Sequence, residues 1–261
     1  MRMFALVAVV LSLAATSHAR GTRSTTKRPA RHASSKRRVA VDSPAPRAIP
    51  VKREREPVVR ERDRSIGAPW SGRLTAPARL PGGDGYVIRR PLRAYGTRST
   101  VDFVHEAVTN TLDAFPRAHV LAIGDLSAET GGAITEHHSH QSGRDADIGL
   151  FYKKKPAAYP ASFVRATEDN LDGAETWKLV WEFAKTQSED GGVQIMFLDY
   201  DVQGIIYRWA KDHGVSEQRL DRVFQYPRGR DSANGVVRHF PNHDNHVHVR
   251  FKCRDRDLGC R

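Results

Sequence analysis

Six of the twelve histidines stand in two short windows, His137, His138 and His140 in one and His243, His246 and His248 in the other. The second window runs on as His246-Val247-His248-Val249-Arg250-Phe251. Its alternation of polar and apolar residues predicts a strand with His246, His248 and Arg250 on one face and Val247, Val249 and Phe251 on the other. Two imidazoles leaving a rigid element in the same direction are a ready pair of nitrogen donors. Zinc favours such donors, and a catalytic zinc takes three protein ligands and keeps one position open. The third ligand must come from elsewhere in the chain. The first window, His137-His138-Ser139-His140-Gln141-Ser142-Gly143-Arg144-Asp145-Ala146-Asp147, offers a histidine, a glycine-containing turn and a carboxylate entering an extended segment. Asp145 and Asp147 would face the same side of that segment, so spacing alone leaves both open as ligands. The flanking histidines favour a borderline metal such as zinc over a hard cation. No H-E-x-x-H and no G-x-S-x-G is present, which removes the helical zinc-peptidase pattern and the serine-elbow pattern.

The elements that must position these groups can be read around them. Short strands are expected near Arg73-Leu74 and Tyr86-Val87-Ile88, among glycine and proline punctuation. Ser99 with Asp102 resembles a helix cap, followed by Val104, Ala107, Val108, Leu112 and Phe115 on one helical face up to Pro116. His119 to Ile123 and Asp147 to Tyr152 are expected strands. Trp177, Val180, Phe183, Ala184 and Gln187 predict another helix, and Val193 to Leu198 a strand. Asp201 to His213 predicts a helix stopped by Gly214, with a shorter helix from Ser216 to Phe224. The final strand is expected over His246 to Lys252. Strands and helices follow no repeated unit, which predicts an α+β domain with a small, mostly antiparallel sheet and flanking helices.

The chain has 261 residues and a formal charge of +12, but residues 20–64 alone carry 15 basic and 5 acidic residues. The remainder is nearly neutral, so the basicity belongs to a leader and argues against a specific nucleic-acid fold. Residues 1–19 combine Arg2, an apolar run from Met3 to Ala15 and a small-residue exit at Ser17-His18-Ala19, the pattern of a secretory signal peptide. The mature chain is then expected to be exported, with no transmembrane segment. Export permits disulfides, and the two cysteines, Cys253 and Cys260, are expected to pair. Residues 20–64 lack an apolar face and are expected to form a disordered basic leader, whose charge suits an anionic envelope polymer as partner. The expected organisation is a signal peptide over 1–19, the leader over 20–64 and one domain over 65–261.

The ordered set Gly124-Asp125-Leu126-Ser127, Gly131-Gly132, His137, His140-Gln141-x-Gly143-x-Asp145-x-Asp147 and His243-x-x-His246-x-His248-Val249-Arg250 resembles the penicillin-insensitive murein endopeptidases. These belong to a zinc metallopeptidase group with lysostaphin, the D-alanyl-D-alanine metallopeptidases and the hedgehog signalling domain. The resemblance extends over about Ser65 to Cys260, including Tyr95-Gly96-Thr97. It implies that His140, Asp147 and His248 are the zinc ligands, that His246 and His243 are catalytic histidines, that His137 lies in the active site, and that Asp145 supports a ligand histidine from outside the metal shell. It also implies a substrate: the stem peptides of peptidoglycan, cut in the periplasm at the D-alanyl to meso-diaminopimelyl cross-link. A D-alanyl-D-alanine carboxypeptidase is the neighbouring activity.

Overall fold

The structure is a computed structural model and describes residues 62–261. The expected signal peptide, and the leader as far as residue 61, lie outside the described residues. The described residues open with a hairpin of β1 (Arg64–Ala68) and β2 (Ser71–Thr75). Next come β3 (Ala78–Arg79), β4 (Tyr86–Ile88) and β5 (Tyr95–Gly96), with β3 paired to β5. Helix α1 (Arg98–Ala114) follows, then β6 (Leu121–Ile123) and β7 (Asp145–Gly149). The second half contributes α2 (Gly173–Ala184), β8 (Val193–Phe197), α3 (Tyr200–Asp212), α4 (Glu217–Val223), β9 (Val237–Arg238) and β10 (His246–Phe251).

Among the described residues, six strands form the main sheet in the order β4-β6-β7-β10-β8-β9. The pairs β6-β7, β7-β10 and β10-β8 are antiparallel, and only the outer pairs β4-β6 and β8-β9 are parallel. The mostly antiparallel α+β architecture is therefore as the residue pattern predicts. Val247, Val249 and Phe251 are fully buried on one face of β10, where Phe251 meets Phe103 of α1 and Phe183 of α2. Helices α1 and α2 thus cover this face of the sheet, and the polar face of β10 is left for the histidines.

Several boundaries differ from expectation, each for a local reason. The cap of α1 is Thr97, whose side chain accepts from the Thr100 amide, rather than Ser99. Strand β7 starts at Asp145, because the ladder with β10 runs from Arg250↔Asp145 to His246↔Gly149. It stops at Gly149, and Tyr152 instead makes an isolated bridge to Leu171. Gly214 ends α3 as expected, in the left-handed region at φ 82°.

Candidate active site

Antiparallel pairing of β7 with β10 brings the two histidine windows together. His248 stands opposite Asp147 and Arg250 opposite Asp145, and opposed residues share a face of the sheet. On its other side His248 neighbours Phe197 of β8. The loop before β7 supplies His137 and His140. It is held by the His140 amide, which donates to Asp145 Oδ2 at 2.9 Å. His140 itself has φ 67°, a left-handed conformation uncommon for a residue with a side chain.

The hydrogen bonds orient each ring. His140 Nδ1 faces the Leu126 carbonyl at 2.7 Å and must donate to it, so in the neutral ring Nε2 carries the lone pair. That Nε2 is buried without a hydrogen-bond partner, and so is Asp147 Oδ1, 3.3 Å away. His248 Nε2 lies 3.1 Å from Asp145 Oδ1, and its Nδ1 lies 3.0 Å from Asp147 Oδ1. His246 Nε2 approaches the same oxygen at 3.6 Å, with its Nδ1 against Asn245 Oδ1. His137 Nε2 bonds Asp125 Oδ2 at 2.9 Å, and its Nδ1 lies 3.7 Å from Asp147 Oδ2. His243 Nδ1 donates to the Pro241 carbonyl, and its ring sits 4.8 Å from that of His246.

Electrostatics separates these rings. Burial alone would push His248 down, but the Asp145 and Asp147 carboxylates raise it to about 9. Burial pulls His246 down, and despite Asp147 it falls to about 4, so this ring is neutral at ordinary pH. His243 is likewise lowered by burial. Against the cost of burial, the neighbouring His140 and His248 hold Asp147 well below the usual carboxylate range.

Buried, unpaired ligand atoms converging on one carboxylate oxygen fit a bound cation. His137, His140 and Asp147 form a group whose ligand atoms all lie within 4.8 Å of one another. This trio shares His140 and Asp147 with the expected ligands and has His137 in place of His248. All seven site residues expected from the sequence meet here, lining or underlying a cleft of about 430 Å³. Three neighbours were not assigned a role from sequence. Asp125 binds His137, Arg90 and Arg93; the carboxylate after Gly124 was the available signal. Phe163 stacks on His246, with ring centroids 5.0 Å apart, and nothing in its loop sequence marked it. Arg250 was visible only as the next polar residue on the strand face. Beyond the end of β10, Cys253 and Cys260 form the expected disulfide.

No curated protein matches the chain. Residues 65–191 match the family model described as penicillin-insensitive murein endopeptidase. The match spans β1 to α2 and includes His137, His140, Asp145 and Asp147. It ends before β10, whose histidines reach the site through the sheet register. With the matched region carrying one histidine window and the ladder aligning the other upon it, the chain is similar over residues 65–191 to the penicillin-insensitive murein endopeptidase family.

Proposed function

We propose that this enzyme is a zinc-dependent endopeptidase that hydrolyses D-alanyl to meso-diaminopimelyl cross-links of peptidoglycan in the periplasm, with zinc held by His140, Asp147 and His248. The observation that carries the proposal is the convergence of His140 Nε2 and His248 Nδ1 on Asp147 Oδ1, two of these three atoms being buried without hydrogen bonds. His248 is favoured over His137 as third ligand because it is nearly buried and Asp145 fixes its opposite nitrogen, as supporting carboxylates do for ligand histidines. His137 is partly exposed, with one nitrogen committed to Asp125.

Zinc at this position would supply Lewis-acid polarisation of the scissile carbonyl and acidify water. The chain supplies the proton handling. His246 is neutral, and with Nδ1 donating to Asn245 its Nε2 lone pair faces the site, able to take a proton from the attacking water and return it to the leaving amine. Phe163 holds the ring from one side by stacking. His243, beside it in the cleft, has Nδ1 donating to the Pro241 carbonyl, so its neutral ring presents Nε2 as an acceptor, able to receive a hydrogen bond from the attacking water.

Purified protein incubated with cross-linked dimeric muropeptides and with monomeric pentapeptides tests this. Mass analysis is expected to show dimers converted to monomers with addition of water, with loss of activity on chelation and recovery with zinc. Release of terminal D-alanine from pentapeptides alone would instead favour the carboxypeptidase. Residues 20–64 are proposed to tether the enzyme to an anionic envelope polymer, which predicts wall binding that weakens with salt.

A further inference from the structure

Arg250 shares the face of β10 with His246 and His248 and lines the same cleft. Its side chain is only 13% exposed. Nε donates to Asp145 Oδ1 at 2.7 Å. The guanidinium lies over two rings, with Cζ 5.9 Å from the centroid of Trp70 and 5.4 Å from that of Phe197. Arginine has five N–H donors, and the four on the terminal nitrogens have no acceptor among the described residues. A guanidinium in contact with two rings and anchored by a carboxylate, with its fork bare, is preorganised for a planar anion. The other arginines around the site are differently engaged. Arg90 and Arg93 bind Asp125, while Arg89 donates to the Ala161 carbonyl and covers Phe163.

Under the proposed function, on which this inference rests, the leaving amine carries a carboxylate on the carbon next to the scissile nitrogen. Arg250 is two residues from His248 along the strand, about 7 Å. That spacing suits a carboxylate a few bonds from a carbonyl placed beside His248. We infer that Arg250 binds this carboxylate and selects substrates by it.

The test compares kcat/KM for two cross-linked dimers that differ only in whether that carboxylate is free or amidated, using wild type, Arg250→Ala and Arg250→Lys, with zinc content measured for each. Wild type is expected to prefer the free acid by about 10- to 100-fold, the range of a hydrogen-bonded charge pair. Arg250→Ala should cut both dimers at similar rates, and Arg250→Lys, which keeps the charge without the fork, should retain part of the preference. If Arg250→Ala does not fold, a reduced preference in Arg250→Lys still supports the assignment, and an unchanged one overturns it. Equal rates in wild type, or a preference that persists in Arg250→Ala, would likewise overturn it, the latter leaving Arg250 as a support for Asp145. If wild type cuts neither dimer, the endopeptidase proposal itself fails.

Discussion

At the scale of single residues, the site is a set of imidazoles whose tautomers are fixed by acceptors behind them. Leu126 fixes His140, Asp145 fixes His248 and Asn245 orients His246. Two kinds of substitution should therefore separate. Removing a ligand, as in His140→Ala, Asp147→Ala or His248→Ala, is expected to abolish stable zinc binding, while Asp145→Asn should weaken it by about 10- to 100-fold. Zinc titration against a competing chelator measures both, and unchanged affinity in His248→Ala together with a loss in His137→Ala would move the third ligand to His137. That the two histidine windows belong together was legible in the sequence because histidine and aspartate are dense in both and few other roles need them so arranged. The choice between Asp145 and Asp147 was not, since a period of two puts both on one face. What distinguishes them is the partner strand, which places Arg250 against one and His248 against the other. Phe163 escaped notice for the same reason, since its contact with His246 crosses 83 residues of chain.

At the scale of elements, the strand-and-helix alternation was largely readable, while strand ends were decided by pairing. The approach of β6 to β7 depends on Gly124, where an added Cβ would lie 2.8 Å from Phe163 Cζ and 3.0 Å from Asp147 Cβ. Gly124→Ala is expected to displace both side chains. Activity should then fall by at least about tenfold with a smaller change in thermal stability, because misplacement of about 1 Å is enough to damage a catalytic geometry. Equal activity would show that the loop yields. On the helical face, Glu182 of α2 is nearly buried and accepts from Lys178 and from Asn110 of α1, with Lys185 also in ion-pair contact. Burial opposes its charge, but these partners hold it below the ordinary glutamate range. A lowered carboxylate contributes stability that is present above the unfolded value, about 4.3, and is lost as the pH falls through the lower folded value. Glu182→Gln should therefore lower Tm at neutral pH and flatten the acid limb of the Tm profile. A parallel shift at all pH values would contradict this.

At the scale of the whole domain, the first and last described segments close on one another. Asp63 accepts from the Arg98 amide and from Arg254 and Arg256. Arg144, fully buried, donates to Ser65, Phe251 and the Arg261 carbonyl. Asp63 and Arg64, read from composition as the end of the leader, are thus engaged by partners that composition cannot reveal. Removal of residues 20–61 is expected to leave stability and soluble-substrate turnover unchanged, whereas removal through residue 64 should lower Tm. Indistinguishable melting curves would refute a role for Asp63. The Cys253–Cys260 bridge sits in the same closure, and its reduction should cost roughly 2 to 3 kcal/mol in denaturant unfolding while leaving zinc bound. The proposed function assigns this scaffolding one division of labour, between residues that would hold the metal and a histidine beside it that would move protons. Its most direct measurement is zinc stoichiometry together with endopeptidase turnover in His246→Ala: retention of equimolar zinc with turnover reduced by about 10²- to 10⁴-fold is predicted, and loss of the metal, or full turnover with the metal in place, would contradict it.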